Sequence, residues 1–100
     1  MATSSPLRQR YFSNRFVDLV RMELRVDESE WGNLKECLSD LAAEWHGIAE
    51  VDKDIVQDLF VLPAIVRGVA DRLEEKEPGR AKDLEERATE LDALVLAALA

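Results

Sequence analysis

An all-α fold, an antiparallel up-down bundle of about four helices, is what this sequence predicts, and three observations carry the prediction. Leu and Ala dominate the 100 residues, with 14 and 12 copies, and both are good helix formers. Four Gly and three Pro leave few places to interrupt regular structure. Apolar residues recur three and four apart along most of the chain, the period of a helix that buries one face. The helices are expected at roughly 7–25, 28–47, 52–76 and 80–99. A chain of this length, 47% apolar and 34% charged, supports one domain with a core of its own. That domain is assigned to 7–100, behind a disordered lead-in over 1–6.

In the first segment Phe12, Phe16, Leu19 and Val20 share a helical face, which Met22 and Leu24 widen. The second has the clearest start: Asp27 is placed to cap the first free N–H groups, with Glu30 three residues on. Trp31, Leu34, Leu38, Leu41, Trp45 and Ile48 then form a bundle-type seam, and Gly47 is expected to mark its end. The third opens on Asp52 and Asp54, and its seam is Ile55, Leu59, Leu62, Val66, Val69 and Leu73. Val56, Phe60, Ile65 and Ala70 spread apolar surface around it, so it should be the most buried helix. Pro63 predicts a kink or short break there, and Gly68 a close approach of a neighbouring helix. Glu77-Pro78-Gly79 reads as a turn. Leu84, Ala88, Leu91, Val95 and Ala98 make the last seam, opposite a charged face. Short connections imply antiparallel neighbours. The first helix could instead pack on a partner.

The net charge of −8 argues against nucleic-acid binding. Its distribution is uneven: residues 1–25 carry a net +3 and residues 26–60 a net −8. That contrast predicts attraction between the first helix and its acidic neighbours, with a charged docking face as the alternative. No run of residues is long and apolar enough to span a bilayer, and the first residues lack the apolar core of a signal peptide. With one cysteine, no internal disulfide forms. A cytoplasmic protein is expected.

The search for chemistry finds no catalytic residue, cofactor site or metal site. His46 is the sole histidine, which removes triads and most metal sites, and it reads as a surface residue near a helix end. Cys37 sits beside the Leu34/Leu38 seam with acidic Glu36 and Asp40 nearby, a core residue rather than a nucleophile. No Gly-rich phosphate loop is present. What remains suits protein contacts. Aromatic and Arg residues concentrate in the first helix, where Arg8, Tyr11, Phe12 and Arg15 are candidate interaction residues. Leu94, Leu96 and Leu99 fall off the last seam and are the second set, suited to self-association as a homodimer.

Two family resemblances attach to these residues. Leu24-Arg25-Val26-Asp27-Glu28-Ser29-Glu30-Trp31, followed by Leu34, Leu38 and Leu41-Ala42-Ala43, resembles the opening of small helical proteins of caspase-and-TPR-repeat-associated (CATRA) systems. Asp58-Leu59 through Pro63 and Arg67 would fall in the next helix; from Glu74 onward no correspondence is drawn. Those systems are bacterial conflict modules that pair a small companion with a caspase-like protease or a signalling NTPase. The resemblance implies an adaptor without catalysis of its own. Trp45-His46-Gly47 is similar to the triplet of WxG-motif substrates of type VII secretion, which are exported helical hairpins. Pro63, Pro78-Gly79 and the missing C-terminal Tyr-x-x-x-Asp/Glu depart from that pattern. The resulting expectation is a non-catalytic interaction or adaptor module with a protein partner, a second copy included.

Overall fold

The computed structural model describes residues 5–46 and 51–99, and it is all-α. Its helices are α1 (Ser5–Ser13), α2 (Phe16–Glu23), α3 (Glu28–Trp45), α4 (Lys53–Leu73) and α5 (Pro78–Leu99). The bundle is elongated, with extents of 44 × 22 × 18 Å.

The first expected helix is two. It breaks at Asn14-Arg15 because the Asn14 side chain competes with the helical ladder. Its Oδ1 accepts from the Phe16 N–H at 3.0 Å, while its Nδ2 donates to the Glu30 carbonyl at 2.9 Å. The change of direction lets each short helix bury its own apolar residues: Leu7 and Tyr11 from α1, Phe16, Leu19 and Val20 from α2. The pair therefore belongs to the domain's own core. Met22 and Leu24, expected on the buried face, are exposed. α2 ends in a left-handed residue, Leu24 at φ 54°, which closes the Leu24 and Arg25 N–H groups back onto Val20 and Leu19.

α3 begins as expected. Asp27 accepts from the Glu30 N–H at 3.1 Å, but the Glu30 carboxylate turns outward to Asn14 instead of completing a reciprocal cap. His46 is the C-cap; Gly47 and Ile48 lie outside the described residues. Asp52 caps α4, accepting from the N–H groups of Asp54 and Ile55. α4 then runs unbroken through Pro63, contrary to the expected break. The ring is buried, and packing on both sides holds the helix across the one hydrogen bond that proline cannot make. A Cβ at Gly68 would meet nothing within 4 Å, so no neighbour approaches closely there. Pro78 is the first residue of α5 rather than part of a turn, a position where its missing N–H costs nothing.

α4 and α5 form a hairpin across residues 74–77 and make the most extensive helix contact. Arg67 stitches them by pairing with Asp92 and Glu85. α5 also lies along α3. The cross-links Glu28–Arg87 and Lys35–Glu90 advance together on both helices, so these two run in the same direction, as an up-down-up order requires. The α1–α2 pair packs over α3 and α4, with α1 antiparallel to α3: Asn14 meets Glu30, and Arg10 meets Asp40 at 2.9 Å. The core seams are those expected, with Phe16, Leu38, Leu41, Ile55, Leu59, Leu84 and Leu91 fully buried, each contributing roughly 1.5–3 kcal/mol of transfer free energy. Phe60, expected to extend the buried face of α4, is 69% exposed, and Val61 beside it is 47% exposed.

Candidate interaction groove

The basic first segment does meet the acidic one. Arg8 donates to Asp52 and, at 3.0 Å, to Asp54, tying α1 to the start of α4. Asp52 feels two opposed effects. Burial pushes its carboxyl up, but the Arg8 hydrogen bond and charge and the two capping N–H groups outweigh that and hold it below the usual range. Arg8 also lies over the Phe12 ring, 4.8 Å from its centroid.

Next to this clasp, the α1–α2 pair and α4 leave a groove of about 260 Å³ between them. Tyr11, Phe12 and Asn14 line it from one side, Val17, Asp18 and Arg21 from α2, and Asp58, Val61, Leu62 and Ile65 from α4. Its wall is mixed, with Asn14, Asp18, Arg21 and Asp58 among the apolar residues. Phe12 and Val61 are open to solvent at 46% and 47%, so the groove can be reached. Tyr11 beside it is only 5% exposed, and its hydroxyl has no hydrogen-bond partner among the described residues. A buried, unsatisfied phenol costs stability. Burial first, and then the Asp58 charge, push the phenol upward, so it stays protonated. Asp58 itself makes no hydrogen bond or ion pair among the described residues, whereas Asp18 pairs with Arg21 at 3.6 Å.

The seven candidate interaction residues thus separate. Phe12 lines the groove with its ring exposed, and Arg8 stands over that ring. Tyr11, expected as a docking side chain, is instead a core residue beneath the groove. Arg15 is exposed and has no ion-pair partner among the described residues. On α5, Leu94 and Leu99 are partly buried against the core, and only Leu96 of the three, at 69%, is largely exposed. Sequence reasoning did not single out Asn14, Val17, Asp18, Arg21, Asp58 or Val61 as groove residues, and it read Ile65 only as extra apolar surface. The signal for Val61 and Ile65 was their apolar surplus beside the Ile55-Leu59-Leu62-Val66 seam.

Elsewhere the chemistry is sparse. Cys37 is buried, with its Sγ 4.0 Å from the Leu7 carbonyl, and burial pushes its thiol up. Among the described residues, no group of three or more His, Cys, Asp or Glu is placed to hold a metal ion, and no helix is long and apolar enough to cross a membrane. Comparison of the chain with protein families, curated proteins and solved structures finds no match.

Proposed function

We propose that the chain is a non-catalytic protein-interaction module, an adaptor that docks a segment of a partner in the groove between α1–α2 and α4. The observation that carries this reading is the groove's makeup: an accessible, mixed wall with exposed Phe12 and Val61. Large apolar residues left open in a groove suit a surface completed by binding. Its volume falls just below the roughly 300–1,000 Å³ of small-molecule pockets, which fits one or two side chains of a protein better than a cofactor. The resemblance to CATRA companions proposes the partner class, a caspase-like protease or signalling NTPase. The five-helix bundle departs from the two-helix hairpin implied by the WxG resemblance, so the adaptor reading is preferred.

A photo-crosslinking amino acid at position 61 or 12, in cells that naturally make the protein, tests it. A discrete protein adduct is expected at both positions and not at exposed Lys82, and mass spectrometry of the adduct identifies the partner class. Equal labelling at all three positions, or none at the groove, would count against docking there.

A further inference from the structure

We infer that α1 is a strap held on by charge: residues 5–13 lift off α3 and α4 as a unit, pivoting at Asn14-Arg15, while α2 to α5 stay folded. The inference stands apart from the docking reading and needs no partner.

Several features of α1 set it apart from the other helices. It is nine residues long, too short to keep its helical form alone in water, so it holds its shape only while it is packed. Leu7 and Tyr11 are its buried side chains, whereas the shorter α2 buries Phe16, Leu19 and Val20 almost completely. One of those two anchors carries a cost, because the buried Tyr11 hydroxyl lacks a partner among the described residues and would regain water on opening. What else holds α1 is ionic. It carries Arg8 and Arg10 and no acid, and these reach Asp52, Asp54 and Asp40 on the net-negative part of the chain. The Asp54 and Asp40 side chains are 68% and 55% exposed, so their pairs are weak and yield to salt. Only the Arg8–Asp52 pair has a buried carboxylate.

The pivot is already built. Asn14 bonds the Phe16 N–H and the Glu30 carbonyl, so it fixes the start of α2 to α3 without drawing on α1 side chains. Opening can therefore stop there, which makes residues 5–13 a local unfolding unit distinct from the global one. Beneath the strap lies Cys37, 1% exposed, with its Sγ 4.0 Å from the Leu7 carbonyl. Lifting α1 bares this thiol and widens the groove that Tyr11 and Phe12 line.

Cys37 is the only cysteine, so it reports the opening directly. The full chain is mixed with an excess of an aromatic disulfide reagent at low urea concentrations, and labelling of the thiol is compared with global unfolding of the same sample. Labelling is expected at least about ten-fold faster than global unfolding allows, with a much shallower urea dependence. Amides of α1 should exchange with solvent through the same opening, while those of α3 to α5 remain protected. Arg8→Gln and Arg10→Gln should each raise labelling, relative to global unfolding, about two- to five-fold, the scale of one exposed ion pair. About 0.5 M sodium chloride should do the same to the unaltered chain. Lys82→Gln, on exposed α5 surface, should leave that ratio unchanged. Labelling that tracks global unfolding in rate and urea slope overturns the inference. So does fast labelling indifferent to salt and to both Arg substitutions, or fast labelling with α1 amides still protected.

Discussion

Asn14 joins the α1–α2 break to the first turn of α3, with its amide on the Glu30 carbonyl at 2.9 Å and its carbonyl oxygen on the Phe16 N–H at 3.0 Å. One side chain satisfies a helix start and an interhelical link together, so it fixes how the N-terminal pair lies on the bundle. That placement also sets the width of the groove, which Asn14 lines.

Asn14→Ala removes both contacts and leaves the Phe16 N–H without its cap. A loss of about 1–3 kcal/mol is expected, read as a lower urea midpoint at unchanged slope. A loss below a few tenths would mean that the break is set elsewhere.

Tyr11→Phe is expected to stabilise the fold, by roughly 1 kcal/mol, because it deletes an unsatisfied buried hydroxyl and keeps the ring and its edge contact with Phe12. Thermal unfolding checks it. A lower midpoint would reveal a hydrogen bond to that hydroxyl. Stabilisation together with weaker partner binding is the pattern of a residue kept for function.

Asp52 makes stability depend on pH. Its folded pKa lies below the ordinary 3.8, so its contribution is fully present above that value and is lost as pH falls through the folded pKa. Acid titration of unfolding should therefore show stability declining below about pH 4, and Asp52→Asn should flatten that part of the curve. At neutral pH, Asp52→Ala should cost about 0.5–2 kcal/mol through the lost cap alone. Indifference of the acid limb to Asp52→Asn would contradict the Arg8 clasp.

Two positions invite opposite exchanges of glycine. Leu24 is held left-handed at φ 54° and is exposed, so Leu24→Gly should gain about 1 kcal/mol by relieving backbone strain. Gly68 lies inside α4 with open space at its Cβ, so Gly68→Ala should gain about 0.5–1 kcal/mol. Denaturant midpoints of the single and double variants check both. The gains should add, since the sites share no partner.

Local chemistry decides what could be read in advance. The caps at Asp27 and Asp52 were legible because the N-cap interaction is made within a few residues, and the seams from Trp31 to Trp45 and from Ile55 to Leu73 because burial repeats with the helix. The break at Asn14 was hidden, since Phe12 and Phe16 keep helical spacing across it and the bond to Glu30 that settles it spans sixteen residues. Pro63 misled for a related reason: its local cost is real, but tertiary packing outweighs it. On α4, apolar residues cover so much of the circumference that the sequence could not say which would remain outside. Phe60 and Val61 therefore came out exposed, and Tyr11, read as a surface anchor, came out buried. The groove shares that difficulty, because it exists only where three helices fail to close.

The direction of synthesis gives the N-terminal pair one further property. α4 and α5 meet across four residues, so their hairpin closes over a short loop. The links of α1 reach Asp40 and Asp52, thirty to forty-four residues ahead in the chain. Leu7, Tyr11 and Phe16 thus leave the ribosome before α3 and α4 exist to cover them. A chain stalled before α4 should expose them to proteases and chaperones, which limited proteolysis of ribosome-bound chains would detect. The face of α3 waits longer still, since its links Glu28–Arg87 and Lys35–Glu90 need α5, the last helix made.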